Sequence, residues 1–264
     1  MTATIGVPGA DVGELQTTLA SAAELPATIT DIADVTQTAA TTPSIGATLV
    51  LLAAVGLFAF IARRVATKEA APLDQRVRET AQSHRTGLAD AATKPITLLS
   101  MPLLVVSATA ALVRWLKEND RNDAALAIGI TPLIAAALGQ SFTSFFTQPE
   151  PPNAAESPNG HAEEATFPSG HTTGVTAEAL GIAYVLTREK LASPGIVASL
   201  VAWPLVVGAT RVYRDRHWTS DILAGWVAGT GVAALTALTY EWSRRNGAGE
   251  WQRQPTALAP SAQG

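Results

Sequence analysis

The sequence predicts an all-α membrane protein: a bundle of six transmembrane helices with an interfacial helix between the first two spans. Of the 264 residues, 47% are hydrophobic and only 15% are charged, whereas soluble domains carry about 25% charged residues. The charges are clustered and leave long apolar runs, and the mean hydropathy is +0.20. Roughly 20 apolar residues cross a bilayer, and a helix satisfies its own backbone hydrogen bonds there.

Three parts of the chain differ in composition. Residues 1–44 are rich in Ala and Thr, acidic, and free of Lys and Arg. We expect a disordered tail there rather than a secretory signal, which needs a basic N-terminal region. Residues 45–242 form the predicted membrane domain, and residues 243–264 a second disordered tail. The six predicted spans are Ile45–Ala62, Pro95–Val113, Ala124–Thr147, Thr172–Thr187, Leu191–Thr210 and Ile222–Tyr240.

The segment Arg63–Lys94 between the first two spans is too polar to cross a membrane. Apolar positions such as Val77, Ala81 and Leu88 recur among its charges, which favours a helix lying at the membrane interface.

Bulk charge and cysteine content exclude several classes of function. The net charge of -4 and the pI near 5.6 give no support for nucleic-acid binding. The chain contains no cysteine, so disulfides, thiolate nucleophiles and cysteine metal sites are excluded. The oligomeric state is not predicted.

Two of the four histidines stand where a polar loop meets an apolar run. His171 follows Pro168-Ser169-Gly170 at the start of the fourth span, where a glycine and a helix N-terminus let backbone N–H groups approach an anion. His217 lies between the fifth and sixth spans, at i, i+4 from Asp221 on one helical face. In a six-span topology the end of span 3, the start of span 4 and the span 5–6 junction share one membrane face.

These residue types suit chemistry at phosphorus. Asp221 can accept a hydrogen bond from one imidazole nitrogen of His217, which fixes the tautomer and leaves the other nitrogen to attack. Arg211 supplies a planar fork that matches phosphate oxygens. A second histidine, His171, can protonate the leaving oxygen.

The order Pro-Ser-Gly-His, then Thr-Arg-x5-His-x3-Asp, within six spans, resembles the type 2 phosphatidic acid phosphatase family, which shares its site with vanadium haloperoxidases. The resemblance covers about residues 45 to 242. It implies that His217 is the nucleophile that forms a phosphohistidine, that Asp221 orients it, and that His171 is the general acid. It further implies that the phosphate is held by Arg211, Ser169 and Gly170, with no metal or other cofactor.

The first motif of that family, Lys-x6-Arg-Pro, is altered. At the end of the third span Thr143 stands at the lysine position and Glu150 at the arginine position, before Pro151. Deleting one preorganised oxyanion donor commonly costs roughly 2.7–4 kcal/mol in the transition state. Two lost cations therefore weaken the phosphate clamp unless Arg214 or Arg216 turns inward as a substitute.

The sequence thus predicts a multi-pass cell-membrane phosphatase with its site on the outer face, although the positive-inside rule does not decide the orientation. Its substrate would be a lipid phosphate or diphosphate monoester: phosphatidate-like, phosphatidylglycerol-phosphate-like or polyprenyl. The alternative is a weakened or inactive phosphatase-like protein that binds lipid headgroups or scaffolds partners, as Thr143 and Glu150 suggest. Vanadate-dependent halide oxidation is disfavoured, because the vanadate-binding lysine is the residue replaced by Thr143.

Two further acidic features of the sequence are a glutamate in a predicted span, whose role is left open, and an acidic loop. Glu178 lies two helical turns beyond His171, and it could tune that histidine, line the substrate path or pair within the bundle. The acidic loop Gln148–Phe167 is interpreted as solvated rather than as a cation site.

Overall fold

The computed structural model describes residues 43–145, 148, 151–152 and 167–251. Within these ranges the chain forms α-helices and no β-strand, which agrees with the predicted all-α class. The helices are α1 (Pro43–Ala66), α2 (Ala71–Ser83), α3 (Gly87–Leu99), α4 (Pro102–Glu118), α5 (Asn122–Phe145), α6 (Gly170–Arg188), α7 (Pro194–Tyr213) and α8 (Thr219–Trp251). Most of the predicted N-terminal tail (residues 1–42) and the end of the C-terminal tail (252–264) lie outside the described residues.

Four of these helices, α1, α5, α7 and α8, are long and apolar enough to cross a membrane. A fifth span arises if α3 and α4 are counted together, and these two helices meet at a 48° bend. The predicted continuous span Pro95–Val113 is therefore wrong as one helix. Pro102 begins α4, and it holds Met101 in an extended conformation with φ -61° and ψ 136°, because a residue before proline is driven out of the helical region.

The remaining predicted span, Thr172–Thr187, is helical in the structure and lies within α6. However, α6 is not among the helices that are long and apolar enough to cross a membrane. The helix contacts α4, α5, α7 and α8, and most of its residues are buried, including Glu178. A helix enclosed by other helices presents little surface to lipid, so its polar residues need partners within the bundle rather than replacement by apolar ones.

Glycines bring α6 and α8 into close contact. A Cβ on Gly225 would lie 2.9 Å from the Cβ of Thr172, and one on Gly229 would lie 2.5 Å from the Cβ of Thr176. The two glycines are one helical turn apart, the spacing that lets membrane helices approach closely. This packing sets the first turn of α6 beside the first turn of α8.

At the opposite end of these helices, α8 continues past residue 242, the predicted end of the membrane domain, to Trp251. Glu241 accepts hydrogen bonds there from the Tyr184 hydroxyl and from the Arg188 Nε, both at 2.8 Å. These contacts connect the last turns of α6 to α8. The boundary drawn from composition at residue 242 therefore falls inside a helix.

The charged segment between the first two spans forms α2 and the beginning of α3. Thr86 caps α3, because its Oγ1 accepts a hydrogen bond from the backbone N–H of Ala89 at 3.2 Å. Helix α2 packs against α7 and α8, and its residue Asp74 is only 3% exposed. Part of this segment, which the sequence predicts to lie at the membrane interface, is thus buried against the α7–α8 connection.

Candidate active site

The Pro-Ser-Gly-His stretch forms the start of α6. Ser169 is the N-cap, is fully buried, and accepts hydrogen bonds at Oγ from the backbone N–H of Thr172 at 3.4 Å and from its hydroxyl at 3.1 Å. Both bonds use the oxygen of Ser169 as acceptor, so its own O–H is still available to donate. An anion at this helix end would meet that hydroxyl together with first-turn N–H groups.

Gly170 begins α6 at an open position. The residue is exposed, and a Cβ built on it would meet nothing within 4 Å. A side chain at position 170 would therefore not clash with the rest of the protein. Instead, the glycine leaves the backbone uncovered at the point where the sequence predicts phosphate contact.

The second stretch begins at the C-terminus of α7. The backbone N–H of Arg216 donates to the carbonyl of Arg211 at 3.0 Å, and that of Asp215 donates to Val212 at 3.0 Å. Asp215 has a φ of 56°, in the left-handed region. This pattern is a Schellman motif, which ends a helix sharply and turns the chain. Arg211 therefore stands in the last turn of α7, just ahead of the connection that carries His217.

His217 and Asp221 form a pair at the start of α8. The distance between His217 Nδ1 and Asp221 Oδ2 is 3.5 Å, and the Asp221 side chain is fully buried. The same carboxylate oxygen accepts the backbone N–H of Trp218 at 2.9 Å. Trp218 precedes α8, so Asp221 reaches back to the N-cap residue as the acid of a capping box does. One carboxylate oxygen thus caps the helix start and lies beside the imidazole.

 The two sequence stretches meet directly through the backbone. The backbone N–H of Ser169 donates a hydrogen bond to the carbonyl oxygen of Asp221 at 3.1 Å. This bond joins the N-cap of α6 to the first turn of α8, so the two sequence motifs share one end of the bundle.

His171, Arg211 and His217 lie close enough to interact electrostatically. His171 precedes the apolar run of α6 and is half-buried. Burial, and then electrostatic interactions with Arg211 and His217, lower the pKa of His171 from 6.5 to about 4. His171 is therefore neutral in the resting protein near neutral pH, and an arriving phosphate dianion would favour its protonated form.

The end of α5 lies near this part of the molecule, as the sequence predicts. The ring of Phe142, in the last turn of α5, lies 4.5 Å from that of Phe58 on α1, and Phe58 lies 5.8 Å from Phe167, which precedes the Pro-Ser-Gly-His stretch. Thr143 is in the same last turn of α5, but its side chain is outside the described part of the structure, and Glu150 is outside the described residues altogether. The altered first motif therefore stays a prediction from the sequence.

Glu178 pairs within the bundle. It is 4% exposed, and one of its carboxylate oxygens accepts a hydrogen bond from the hydroxyl of Thr109 on α4 at 3.1 Å. Of the three roles left open by the sequence, pairing with a neighbouring helix is the one that this contact supports.

Sequence reasoning missed two residues of α2 that contact the connection between α7 and α8. Asp74 accepts hydrogen bonds from the backbone N–H of Ser220 at 2.8 Å and from its hydroxyl at 2.7 Å. Arg78 donates to both carboxylate oxygens of Asp215, each at 2.8 Å. The two residues are spaced i, i+4 in the segment predicted to lie at the membrane interface, and that spacing is the signal that could have indicated a shared partner.

Comparison with known proteins shows which family of proteins this chain resembles. Residues 124–245 match the model of the PAP2 superfamily. The chain is 35% identical to a lipid A 1-phosphatase of Rhizobium etli over 82 residues, 31% of this chain and 32% of that protein. It is 30% identical to the undecaprenyl-diphosphatase BcrC of Bacillus subtilis over 127 residues, 47% of this chain and 62% of that protein. The chain thus spans less than two thirds of each of these relatives.

A solved structure shares the fold. The transmembrane PAP2 type phosphatidylglycerolphosphate phosphatase of Bacillus subtilis superposes with a TM-score of 0.61 at 17% sequence identity, over 74% of this chain and 96% of that one. At this identity the likeness concerns the fold alone.

Proposed function

We propose that the chain, whose residues 124–245 match the model of the PAP2 superfamily, is a membrane lipid phosphatase working through a phosphohistidine. The observation that carries the proposal is the hydrogen bond from the Ser169 N–H to the Asp221 carbonyl. It joins the helix start that we propose binds phosphate to the histidine–aspartate pair, and neither motif alone would suffice for the reaction.

In the first step the Nε2 atom of His217 attacks the phosphorus atom of the substrate. Asp221, 3.5 Å from Nδ1, keeps the proton on that nitrogen and stabilises the positive charge that develops on the ring. The bond from phosphorus to the leaving oxygen breaks, and His171 gives that oxygen a proton. In the second step His171 takes a proton from water, and the resulting hydroxide cleaves the phosphorus–nitrogen bond.

The charge of the transferring phosphoryl group is stabilised by Arg211, the hydroxyl of Ser169 and the first-turn backbone of α6 at Gly170. Donors aimed at the developing charge contribute more to the transition state than to the ground state. No step in this scheme uses a metal ion or another cofactor.

A lipid is the substrate class that fits the surroundings best. Four of the described helices are apolar enough to cross a membrane, and the bent pair α3–α4 gives a fifth candidate span. We propose that α6 completes the set of six, enclosed by its neighbours, and that α2 lies at the interface. A headgroup could then reach the site at the end of the bundle while its acyl or prenyl tail stays in the bilayer. We propose the outer face of the cell membrane as the side of the site.

The test is phosphate release from four lipids in detergent or liposomes: phosphatidate, phosphatidylglycerol phosphate, undecaprenyl diphosphate and a lipid A 1-phosphate. His217→Ala is expected to abolish release, whereas His84→Ala, which changes an exposed histidine, is expected to leave it unchanged. An acid-labile phosphoenzyme should accumulate in His171→Ala when the leaving group is good, and should be absent from His217→Ala. Absence of release from all four lipids by folded wild-type protein would refute the proposal.

The second candidate is a weakened or inactive protein that binds lipid headgroups or scaffolds a partner. The observation in its favour is the pair Thr143 and Glu150 at the positions where the family motif has Lys and Arg. Thr143→Lys with Glu150→Arg discriminates the two. A large gain in phosphate release from a nearly inactive wild type would favour the second candidate, and high wild-type activity that the double change leaves alone would contradict it.

A further inference from the structure

Four polar residues, each four positions after the last, face the α7–α8 connection from α2 and the start of α3. Asp74 contacts Ser220 and Arg78 contacts Asp215. One turn further on, the side-chain amide of Gln82 donates to the carbonyl of Tyr213 at 3.3 Å, and then the backbone N–H of Thr86 donates to the Tyr213 hydroxyl at 3.2 Å. The spacing places Asp74, Arg78 and Gln82 on one face of α2, and Thr86 follows as the N-cap of α3. This polar stripe therefore follows the connection from the end of α7 to the start of α8.

Asp74 completes the N-terminus of α8. The first N–H groups of a helix have no acceptor inside it, and they are commonly satisfied by an oxygen from the N-cap side chain. The residue before α8 is Trp218, whose side chain has no oxygen. Asp74, from another helix, supplies the missing acceptor oxygens. It accepts hydrogen bonds from the backbone N–H and the hydroxyl of Ser220 at 2.8 and 2.7 Å. Its negative charge also lies at the positive end of the helix dipole.

Arg78 holds the other end of the same short connection. Its guanidinium binds both carboxylate oxygens of Asp215 at 2.8 Å, and the two side chains are 17% and 2% exposed. Asp215 carries the left-handed backbone that ends α7. The bidentate geometry fixes orientation as well as distance. His217 thus stands between two residues, Asp215 and Ser220, that are both bound by α2.

We propose that Asp74 and Arg78 are positioning residues for His217: from one face of α2 they bind both ends of the connection that carries it. The inference rests on the proposed function for the role of His217, while the contacts themselves do not. Neither residue touches the substrate in this proposal. They act through Ser220 and Asp215, which set the backbone from which the imidazole projects towards the phosphorus.

The experiment measures kcat and KM for phosphate release in Asp74→Ala, Asp74→Asn and Arg78→Ala. Two matched controls change exposed residues of the same helix, Glu79→Ala and Arg76→Ala. A misplaced nucleophile leaves phosphate binding by Arg211 in place, so kcat is expected to fall by about 100-fold in Asp74→Ala with KM nearly unchanged. Asp74→Asn keeps an oxygen for the Ser220 N–H and should recover most of that kcat. The controls should match wild type.

A purely structural role predicts a different pattern. It would lower the amount of folded protein while each folded molecule kept the wild-type kcat, and an unchanged kcat per folded molecule in Asp74→Ala would overturn the proposal. Should Asp74→Ala not fold, Asp74→Glu replaces it. That variant keeps the carboxylate but displaces Ser220 by one methylene, and it is expected to lower kcat in the same way.

A second readout separates this inference from the proposed function. The side-chain nitrogen signals of the four histidines can be recorded by NMR in micelles, with His217→Gln used to assign His217. Asp74→Ala is expected to shift or broaden the His217 signal and to leave that of the exposed His84 unchanged. An unshifted His217 signal refutes the positioning role even in an inactive protein, whereas an inactive wild type with a shifted signal refutes only the phosphatase proposal.

Discussion

The backbone N–H of Ser169 lies 3.1 Å from the carbonyl oxygen of Asp221 and donates a hydrogen bond to it. The two residues belong to different helices, and each stands at the start of its helix. Because the bond joins two backbone groups, substituting a side chain at either position does not remove its donor or its acceptor. Substitutions at the candidate catalytic positions can therefore test chemistry without separating the two motifs.

Asp221→Asn tests the orientation of His217. Asparagine keeps an oxygen that can accept the N–H of Trp218, but it cannot stabilise a positive charge on the imidazole. We expect kcat to fall by roughly 10²- to 10⁴-fold, because losses of this order follow when the aspartate that orients a catalytic histidine loses its charge. Steady-state phosphate release, with the melting temperature measured in parallel, checks this. A kcat close to that of wild type would mean that Asp221 only caps α8.

His171 is expected to make stability depend on pH. Its pKa is lowered from 6.5 to about 4, chiefly by burial. As the pH falls below 6.5 the unfolded chain takes up a proton at His171, whereas the folded protein does so only near pH 4. The stability present above pH 6.5 is therefore lost progressively towards pH 4.

The measurement is the melting temperature as a function of pH in that interval. His171→Asn should flatten the dependence relative to wild type, and His84→Asn, at an exposed position, should not. Identical curves for wild type and His171→Asn would contradict the expected contribution.

Gly229→Ala tests the contact between α6 and α8. The added Cβ would lie 2.5 Å from the Cβ of Thr176 and 2.6 Å from the carbonyl oxygen of Thr173, so the helices must move apart. Overpacking of this kind costs roughly 1–3 kcal/mol of the free energy of unfolding. Gly56→Ala is the control, because a Cβ there meets nothing within 4 Å. Equal stability of the two variants, measured by denaturant unfolding in detergent, would argue against the close approach.

Two arginine–aspartate pairs of the same region differ in burial and should differ in energy. The side chains of Arg78 and Asp215 are 17% and 2% exposed, whereas those of Arg85 and Asp90 are both 40% exposed. Removing one partner of a buried pair leaves an uncompensated charge and costs about 3–5 kcal/mol, whereas an exposed pair contributes about 0–1 kcal/mol. Denaturant unfolding should therefore show a large loss for Arg78→Ala and a small one for Arg85→Ala. A small loss for both would mean that water reaches Asp215 once Arg78 is removed.

Short-range patterns in the sequence were enough to predict most of the helices and the candidate site residues. Apolar runs long enough to cross a bilayer indicated most of the helices, and the i, i+4 spacing of His217 and Asp221 indicated their pairing. The break at Met101 and Pro102 was missed, because the apolar run continues through it while the backbone does not. The partial polarity of α6 could not be interpreted from the chain alone, since it depends on how completely other helices enclose it.

Composition and short-range spacing were sufficient to predict the all-α class, the two histidine motifs and the pairing of His217 with Asp221, although His217 precedes α8 rather than lying within it. Three further features are visible only in the folded protein: the contact of Ser169 with Asp221, the pairing of Glu178 with Thr109, and the binding of Asp74 and Arg78 to the connection that carries His217. These contacts join residues far apart in the chain. Their existence depends on the close approach of α6 to α8 and on the packing of α2, which no local pattern of residues specifies.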